Sequence, residues 1–448
     1  MDNLTSCLTS CLTSLSLASL SFIALPACGS SSSGAQAADA GPQTGRDASH
    51  DAPAEAAEAG PAPVKEPPWS GMTVEPACTQ NGCIHAFTKG AAYDQALLQG
   101  AADPTFKVNN GVTEYAITYV SDGAEITGSV FFPDSTPPPG GFDVVVMSQF
   151  TSGLAPACAP SAGFLALGVA SVPALNGYVT LVPDWTSYGK APFGGYSIGP
   201  LAGKAALDGV RAAFHTSQAS GIPVARRAIV AGQSEGAYGT MAAATQYPTY
   251  ANQLEVKGFA AAEPPSNLET SFQQAVQADM TSIVYDAMRL YSWQGTLGLS
   301  GGQLFAPPYD VNVPKWLSTE CIFDGANGSN GKLYAEFPMN ASSVLSPTFL
   351  GYARTGNWPA DWQKAYDASK TVPSYLALPV LIFEGTADTT VLPAGVDTYV
   401  AQLEAAGVSV DYLKIPGGTH GTTALTSFTV AQLANGQAIA WFASTLAK

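Results

Sequence analysis

The sequence predicts an α/β fold, a mostly parallel and doubly wound sheet interrupted by a largely helical insertion. Three observations predict it. Short apolar runs alternate with segments of helical spacing from about residue 110 onward. Most of those runs are apolar throughout, as in strands covered on both faces. The alternation stops between about residues 266 and 372 and then resumes.

YAITYV (115–120) and AEITGSVFFP (124–133) flank Ser121-Asp122-Gly123. Their β-branched content and the turn chemistry predict a hairpin, which the Pro-rich STPPPGG (135–141) ends. FDVVVMSQ (142–149), YVTLVPD (178–184), RAIVAG (227–232) and VKGFAAA (256–262) read as buried strands. Between them, 198–215 carries Leu201, Ala205, Leu207, Val210 and Phe214 at helical spacing, and a small-residue helix follows near 235–246. The insertion holds a long helical stretch at 271–293, Gly-rich turns and many aromatic residues, and reads as a cap. PVLIFEG (379–385), a helix at about 392–406, VSVDYLKIP (408–416) and a helix at about 427–446 complete the sheet.

Upstream of this domain, which spans 71–448, the chain changes character. Residues 12–27 form an apolar, Ser-rich run, shorter than the ~20 residues a membrane span needs but suited to a signal-peptide core. Leu25-Pro26-Ala27-Cys28 resembles a bacterial lipobox, so 1–27 reads as a lipoprotein-type signal and Cys28 as the lipidated residue. Residues 28–70 are rich in Ser, Gly, Ala, Pro and acidic residues and bury too little to offset their ordering entropy, which predicts a disordered tether. The expectation is an exported enzyme, secreted or held at the cell envelope by a lipid anchor.

With 18 Lys and Arg against 34 Asp and Glu, the chain carries a net charge of −16 and shows no basic cluster. Nucleic acid is therefore excluded as a partner. Among the seven cysteines, Cys78, Cys83, Cys158 and Cys321 fall in the folded part with no CxxC pair and no neighbouring His at zinc-ligand spacing, so no metal is expected. Disulfides are the reading for an exported chain. Cys78 and Cys83 are close enough to staple a loop, leaving Cys158 and Cys321 as a long-range pair.

The chemistry centres on Gly232-Gln233-Ser234-Glu235-Gly236. This GxSxG stands between an apolar strand and a small-residue helix, where the glycines permit a sharp turn that exposes the Ser hydroxyl. A serine needs a base to take its proton and an acid to orient that base. In this strand–turn–helix context the partners follow in the order acid, then His. Asp388 lies just past a buried strand, with Glu384 at the strand end as its competitor. His420, in the Gly-rich PGGTHG loop, is the one His downstream of the acid. His50 falls in the tether, His85 beside the cysteine pair and His215 at a helix end.

A tetrahedral intermediate also needs two backbone N–H donors. Glu235, following the nucleophile, supplies one, while its carboxylate gains from the helix N-terminus. The second donor comes from the loop Gln149–Gly153 or from the loop at Asp184-Trp185.

YVTLVPDWTSYG, AGKAALDGVRAA, GQSEGAYG, LPVLIFEGTADTTV and GVSVDYLKIPGGTHG together resemble the secretory lipase family of α/β-hydrolases, in family order over about 110–448. The resemblance implies the α/β-hydrolase fold and cleavage of carboxylic esters such as acylglycerols without a cofactor. It implies Ser234 as nucleophile, Asp388 as acid, His420 as base and the Asp184 N–H as second oxyanion donor. Two other functions share parts of this pattern. A serine peptidase of the prolyl-oligopeptidase type has the same residue order but needs chain length for an added propeller. A catalytically silent binding protein of this fold would usually lack one of the three residues.

Overall fold

The Ser121-Asp122-Gly123 turn closes as its residues require. Asp122 (φ 48°) and Gly123 (φ 77°) both adopt positive φ, and Ser121 pairs with Ala124 across the turn. That is the two-residue turn whose twist matches a hairpin. It joins β2 (Val112–Ser121) to β3 (Ala124–Pro133), and β1 (Ile84–Tyr93) adds an antiparallel edge outside β2. In this computed structural model the described residues are 74–163, 165–185, 194–278, 283–324, 329–331, 333–334, 337, 340–374, 376–423, 425–426 and 432–448. The expected leader (1–27), the lipidated Cys28 and the tether (28–70) lie outside them.

The remaining strands are β4 (Phe142–Ser148), β5 (Val179–Pro183), β6 (Val224–Gln233), β7 (Val256–Ala262), β8 (Val380–Gly385) and β9 (Val410–Ile415). Together the nine form one sheet in the order β1-β2-β3-β5-β4-β6-β7-β8-β9. From β5 to β9 every pairing is parallel, whereas the three pairings on the β1 side are antiparallel. The sheet is thus mixed, with the expected parallel arrangement confined to its larger half.

Helices cover both faces, which explains the uninterrupted apolar strands. In β4, Val144 and Val146 face one core together with α2 (Gly199–Ser220), α3 (Glu235–Tyr250) and α9 (Pro393–Ala405). Val145 and Met147 face the other, with α1 (Leu165–Ala174) and α10 (Asn435–Leu446). Successive side chains of a strand point to opposite faces, so a strand sandwiched between helix layers has no polar side.

Between β7 and β8 the chain leaves the sheet and forms α4 (Leu268–Ala278), α5 (Ile283–Leu297), α6 (Tyr309–Thr319), α7 (Pro347–Thr355) and α8 (Ala360–Ala368). The aromatic residues noted in the sequence make a separate core here, in which Trp293, Trp358 and Trp362 pack with Phe272, Phe349 and Tyr366. The described residues hold two disulfides, Cys78–Cys83 and Cys158–Cys321. The second ties the loop after β4 to the segment after α6. The Ile322 N–H reinforces that link by donating to the Ser152 carbonyl at 2.8 Å.

Candidate active site

Ser234 is held in a strained turn between β6 and α3. Its φ is 54° and ψ −118°, and its N–H donates to the Ala262 carbonyl at 2.9 Å. Positive φ in a residue with a Cβ costs about 1–3 kcal/mol and persists only where the surroundings impose it. The flanking glycines show how tightly they do. A Cβ on Gly232 would stand 2.2 Å from the Gly236 carbonyl oxygen, and one on Gly236 would stand 2.1 Å from that of Ser148. The helix can therefore start directly against the end of β4, with the serine hydroxyl raised above the sheet.

Three side chains that are far apart in sequence meet at this turn. His420 Nε2 lies 3.0 Å from Ser234 Oγ, and His420 Nδ1 lies 2.8 Å from Asp388 Oδ2. The other oxygen of Asp388 accepts the N–H groups of Thr390 (2.7 Å) and Val391 (3.0 Å), which fixes the carboxylate. The loops that carry Asp388 and His420 are laced together: the Ala387 N–H donates to the Gly418 carbonyl at 2.8 Å and the Gly417 N–H to Thr386 Oγ1 at 2.9 Å. Glu384, the competing acid, does not reach the imidazole. It is fully buried in β8, neither of its oxygens has a hydrogen-bond partner among the described residues, and its pKa is pushed up to about 9. Desolvation is the main cause, aided by the nearby charges of Asp388 and Glu263, so Glu384 is neutral at neutral pH. The two other described histidines serve the frame: His215 Nδ1 pairs with the Gly82 carbonyl, and His85 lies between Glu125 and the Cys78 carbonyl.

A residue that the sequence reading missed adjoins the same imidazole. Glu263, the first residue after β7, is fully buried and takes a positive φ of 56°. Its oxygens accept the Gly421 N–H at 2.9 Å and the Gln233 side-chain amide at 3.1 Å, as well as the Thr423 hydroxyl, and one lies 3.5 Å from His420 Nδ1. Its signal in the sequence was an acid closing a buried strand next to the nucleophile's strand, where crevices of open α/β sheets form.

The charge on His420 follows from these neighbours. Burial works against the imidazolium, but Glu263 and Asp388 outweigh it and raise the pKa from 6.5 to about 9. The sign for stability is therefore fixed. Protonation of His420 stabilises the fold fully below about pH 6.5, and that contribution is lost as pH rises through about 9.

One sequence expectation needs correction. The Asp184 N–H donates to the Thr127 carbonyl at 2.9 Å, continuing the β3–β5 pairing, and so is not free to meet an oxyanion. Its fully buried carboxyl instead accepts from Thr127 Oγ1 and from the backbone and hydroxyl of Ser161, which pins the loop after β4 to the end of β5. The Glu235 carboxyl stands at the start of α3, as expected, but it is buried there, accepts the Ser197 N–H at 3.3 Å and faces Thr151 and Trp185, and desolvation drives its pKa well above the usual range.

The cleft above Ser234 holds a cavity of about 110 Å³ that opens to solvent. Thr151, Ser197 and Glu235 form the wall on the sheet side, Val391, Leu392 and Val396 that beside α9, and Leu268, Tyr285, Asp286 and Arg289 that of the insertion. Arg289 and Asp286 form a buried ion pair, Nη2 to Oδ1 2.7 Å. Asp286 is nevertheless pushed up to about 6, because its desolvation outweighs the attraction of Arg289.

The secretory lipase family model matches residues 167–288, a span that holds β5, β6, β7 and the Ser234 turn. No curated protein is matched by sequence. Among solved structures, the rice cell wall degrading esterase LipA from Xanthomonas oryzae is similar, with TM-score 0.66, 17% identity and coverage of 82% of this chain and 99% of that one. Candida antarctica lipase A in its closed state gives TM-score 0.56 and 18% identity, covering 77% of this chain and 79% of that one. At these identities the likeness is one of fold, and the fold is the α/β-hydrolase fold. Over residues 167–288 the chain is thus similar to the secretory lipase family, and it is built on the fold of these esterases and lipases.

Proposed function

We propose that this chain cleaves acylglycerol-like carboxylic esters through an acyl-enzyme on Ser234. The observation that carries the reading is the unbroken proton line from Ser234 Oγ to His420 Nε2 and from His420 Nδ1 to Asp388. Ser234 attacks the ester carbonyl as His420 takes its proton, and Asp388 stabilises the imidazolium. The imidazolium then protonates the departing alcohol. Water, deprotonated by the same His420, releases the acid and regenerates the serine.

The developing oxyanion needs donors already in place. The Glu235 N–H lies at the start of α3, where helix N–H groups have no intrahelical partner. With Asp184 committed to the sheet, the second donor belongs to the loop after β4, whose Thr151 lines the cleft and whose first residues lie against Gly236. The helical segment between β7 and β8 acts as a cap, since α4 and α5 supply the far wall.

The composition of that wall bears on the acyl group. An apolar pocket gains about 1–3 kcal/mol per methylene, but the apolar wall here is interrupted by the Arg289–Asp286 pair, against which an alkyl chain gains less than against carbon. In a p-nitrophenyl ester series, kcat/KM is expected to peak at acetyl to butyryl and to fall by about 100-fold at palmitoyl. A maximum at palmitoyl would refute the short-chain reading. A fluorophosphonate probe should label wild type and not Ser234→Ala, and prolyl-nitroanilides should be inert. Absent labelling of folded wild type would remove the nucleophile, and rapid anilide cleavage would favour a peptidase.

Export fits the secretory lipase match and the two disulfides. Among the described residues, no helix is long and apolar enough to cross a membrane. The leader, a lipid on Cys28 and the 28–70 tether would hold the enzyme at the envelope. Metabolic labelling with palmitate that persists in Cys28→Ser would exclude that anchor.

A further inference from the structure

The proton line from Ser234 uses one carboxylate, yet the His420 imidazole has two. Asp388 Oδ2 lies 2.8 Å from Nδ1 and Glu263 Oε2 lies 3.5 Å from the same atom. The two acids arrive on different elements, Asp388 from the loop after β8 and Glu263 from the end of β7. Glu263 is also bound to the loop that carries the base. Both of its oxygens accept the N–H of Gly421, the residue next to His420, and one accepts the Thr423 hydroxyl two positions further on. On its other side it is held by the amide of Gln233, the residue before the nucleophile. One buried carboxylate therefore connects the turn bearing Ser234 to the loop bearing His420, and every donor that reaches it is a neutral N–H or O–H group, apart from the imidazole itself.

We infer that Glu263 is a second acid of this site, a positioning residue that fixes the His420–Gly421 turn and shares with Asp388 the stabilisation of the imidazolium. The inference rests on the Ser234–His420–Asp388 reading. During acylation the Ser234 proton moves to His420 Nε2, while Nδ1–H stays on the ring facing the carboxyl groups of Asp388 and Glu263. The proton then leaves from Nε2 to the alcohol, so Glu263 neither gains nor loses one.

The titratable groups around this imidazole are Glu263 from the end of β7, Asp388 and the neutral Glu384 from β8 and its following loop, and Tyr285 of α5 beside Asp388. Among the described residues these acids, and no Lys or Arg, face the ring, and Glu263 and Asp388 raise the pKa of His420 to about 9. A single flanking acid at hydrogen-bond distance shifts such a group by about one to three pH units, and two act in the same direction.

The test compares wild type, Glu263→Gln, Asp388→Asn and the double variant by the pH dependence of kcat/KM on p-nitrophenyl butyrate, with melting curves to count folded protein. Wild type should rise to a plateau with its midpoint near pH 9. In Glu263→Gln the midpoint should fall by at least about one pH unit while the plateau drops about 10-fold. Removing the lone acid of a triad costs about 10⁴-fold. Asp388→Asn should here cost only about 100-fold, its midpoint staying above 6.5, and the double variant should reach the full ~10⁴-fold loss. Should Glu263→Gln fail to fold, Asp388→Asn alone decides: a loss of ~10⁴-fold with a midpoint at or below 6.5 would leave Glu263 no role. A Glu263→Gln profile superimposable on wild type would equally overturn the inference. Fluorophosphonate labelling of wild type separates the two levels. Without it the triad reading falls and Glu263 with it, whereas labelling with unchanged profiles removes Glu263 alone.

Discussion

Ser234→Ala is expected to lower kcat on p-nitrophenyl butyrate by at least about 10⁴-fold while leaving the melting temperature nearly unchanged. The large kinetic effect follows from the loss of the proposed nucleophile: Oγ lies 3.0 Å from the imidazole that would activate it. The small thermal effect follows from the backbone. Alanine keeps the Cβ, so the strain at φ 54° is the same in both proteins, and the Ser234 N–H still reaches the Ala262 carbonyl. His420→Ala should cost a similar factor, and the double replacement little more than either single one, because residues that act as a unit lose their effect together. Activity within tenfold of wild type in a folded, purified Ser234→Ala protein would contradict the assignment of nucleophile.

The second large effect concerns stability. Replacing Cys158 and Cys321 together by serine is expected to destabilise the fold by about 2–5 kcal/mol, as read from urea denaturation. The bond closes a span of 163 residues, and loop-closure entropy for that length gives about 5 kcal/mol, the upper end of the range. A functional effect should accompany it. The bridge anchors the loop after β4, which also pairs Gly153 with Cys321 and lies against the start of α3. Loosening it displaces the proposed second oxyanion donor, and one such donor is worth about 100-fold in kcat; a partial displacement should cost about tenfold. Equal denaturation midpoints and equal kcat in the two proteins would show that the tie carries neither load.

What the sequence disclosed, and what it withheld, divides along physical lines. The hairpin at 121–124, the parallel strands and the Ser234 turn were legible because each is set by local chemistry: β-branched runs, Asp-Gly in a two-residue turn, glycines where a Cβ cannot fit. Asp388 and His420 were legible because chain order limits the choice. The β1 edge strand was missed because IHAFTKGAAY alternates poorly, most of its residues being exposed or half-buried. Helix α1 was missed for a different reason. LALGVASVPA contains Gly and Pro, yet it lies buried against the sheet, where tertiary packing overrides helix propensity. The expected helix over 271–293 is helical over Leu268–Ala278 and from Ile283 onward, and 279–282 lie outside the described residues. Glu263 and Asp184 depend on partners many tens of positions away, Gly421 and Thr127 among them, and no local pattern records such pairings.

The spacing of the machinery along the chain sets a schedule. Ser234 and His420 are separated by 186 positions, and the imidazole reaches the serine only after β8 and β9 have been laid beside β7 in parallel register. Long-range parallel pairing is slow to form, and a growing polypeptide presents its N-terminal portion first. The turn that carries the proposed nucleophile can therefore be shaped before the imidazole arrives, and a half-folded copy lacks the proton line on which the proposed ester cleavage depends.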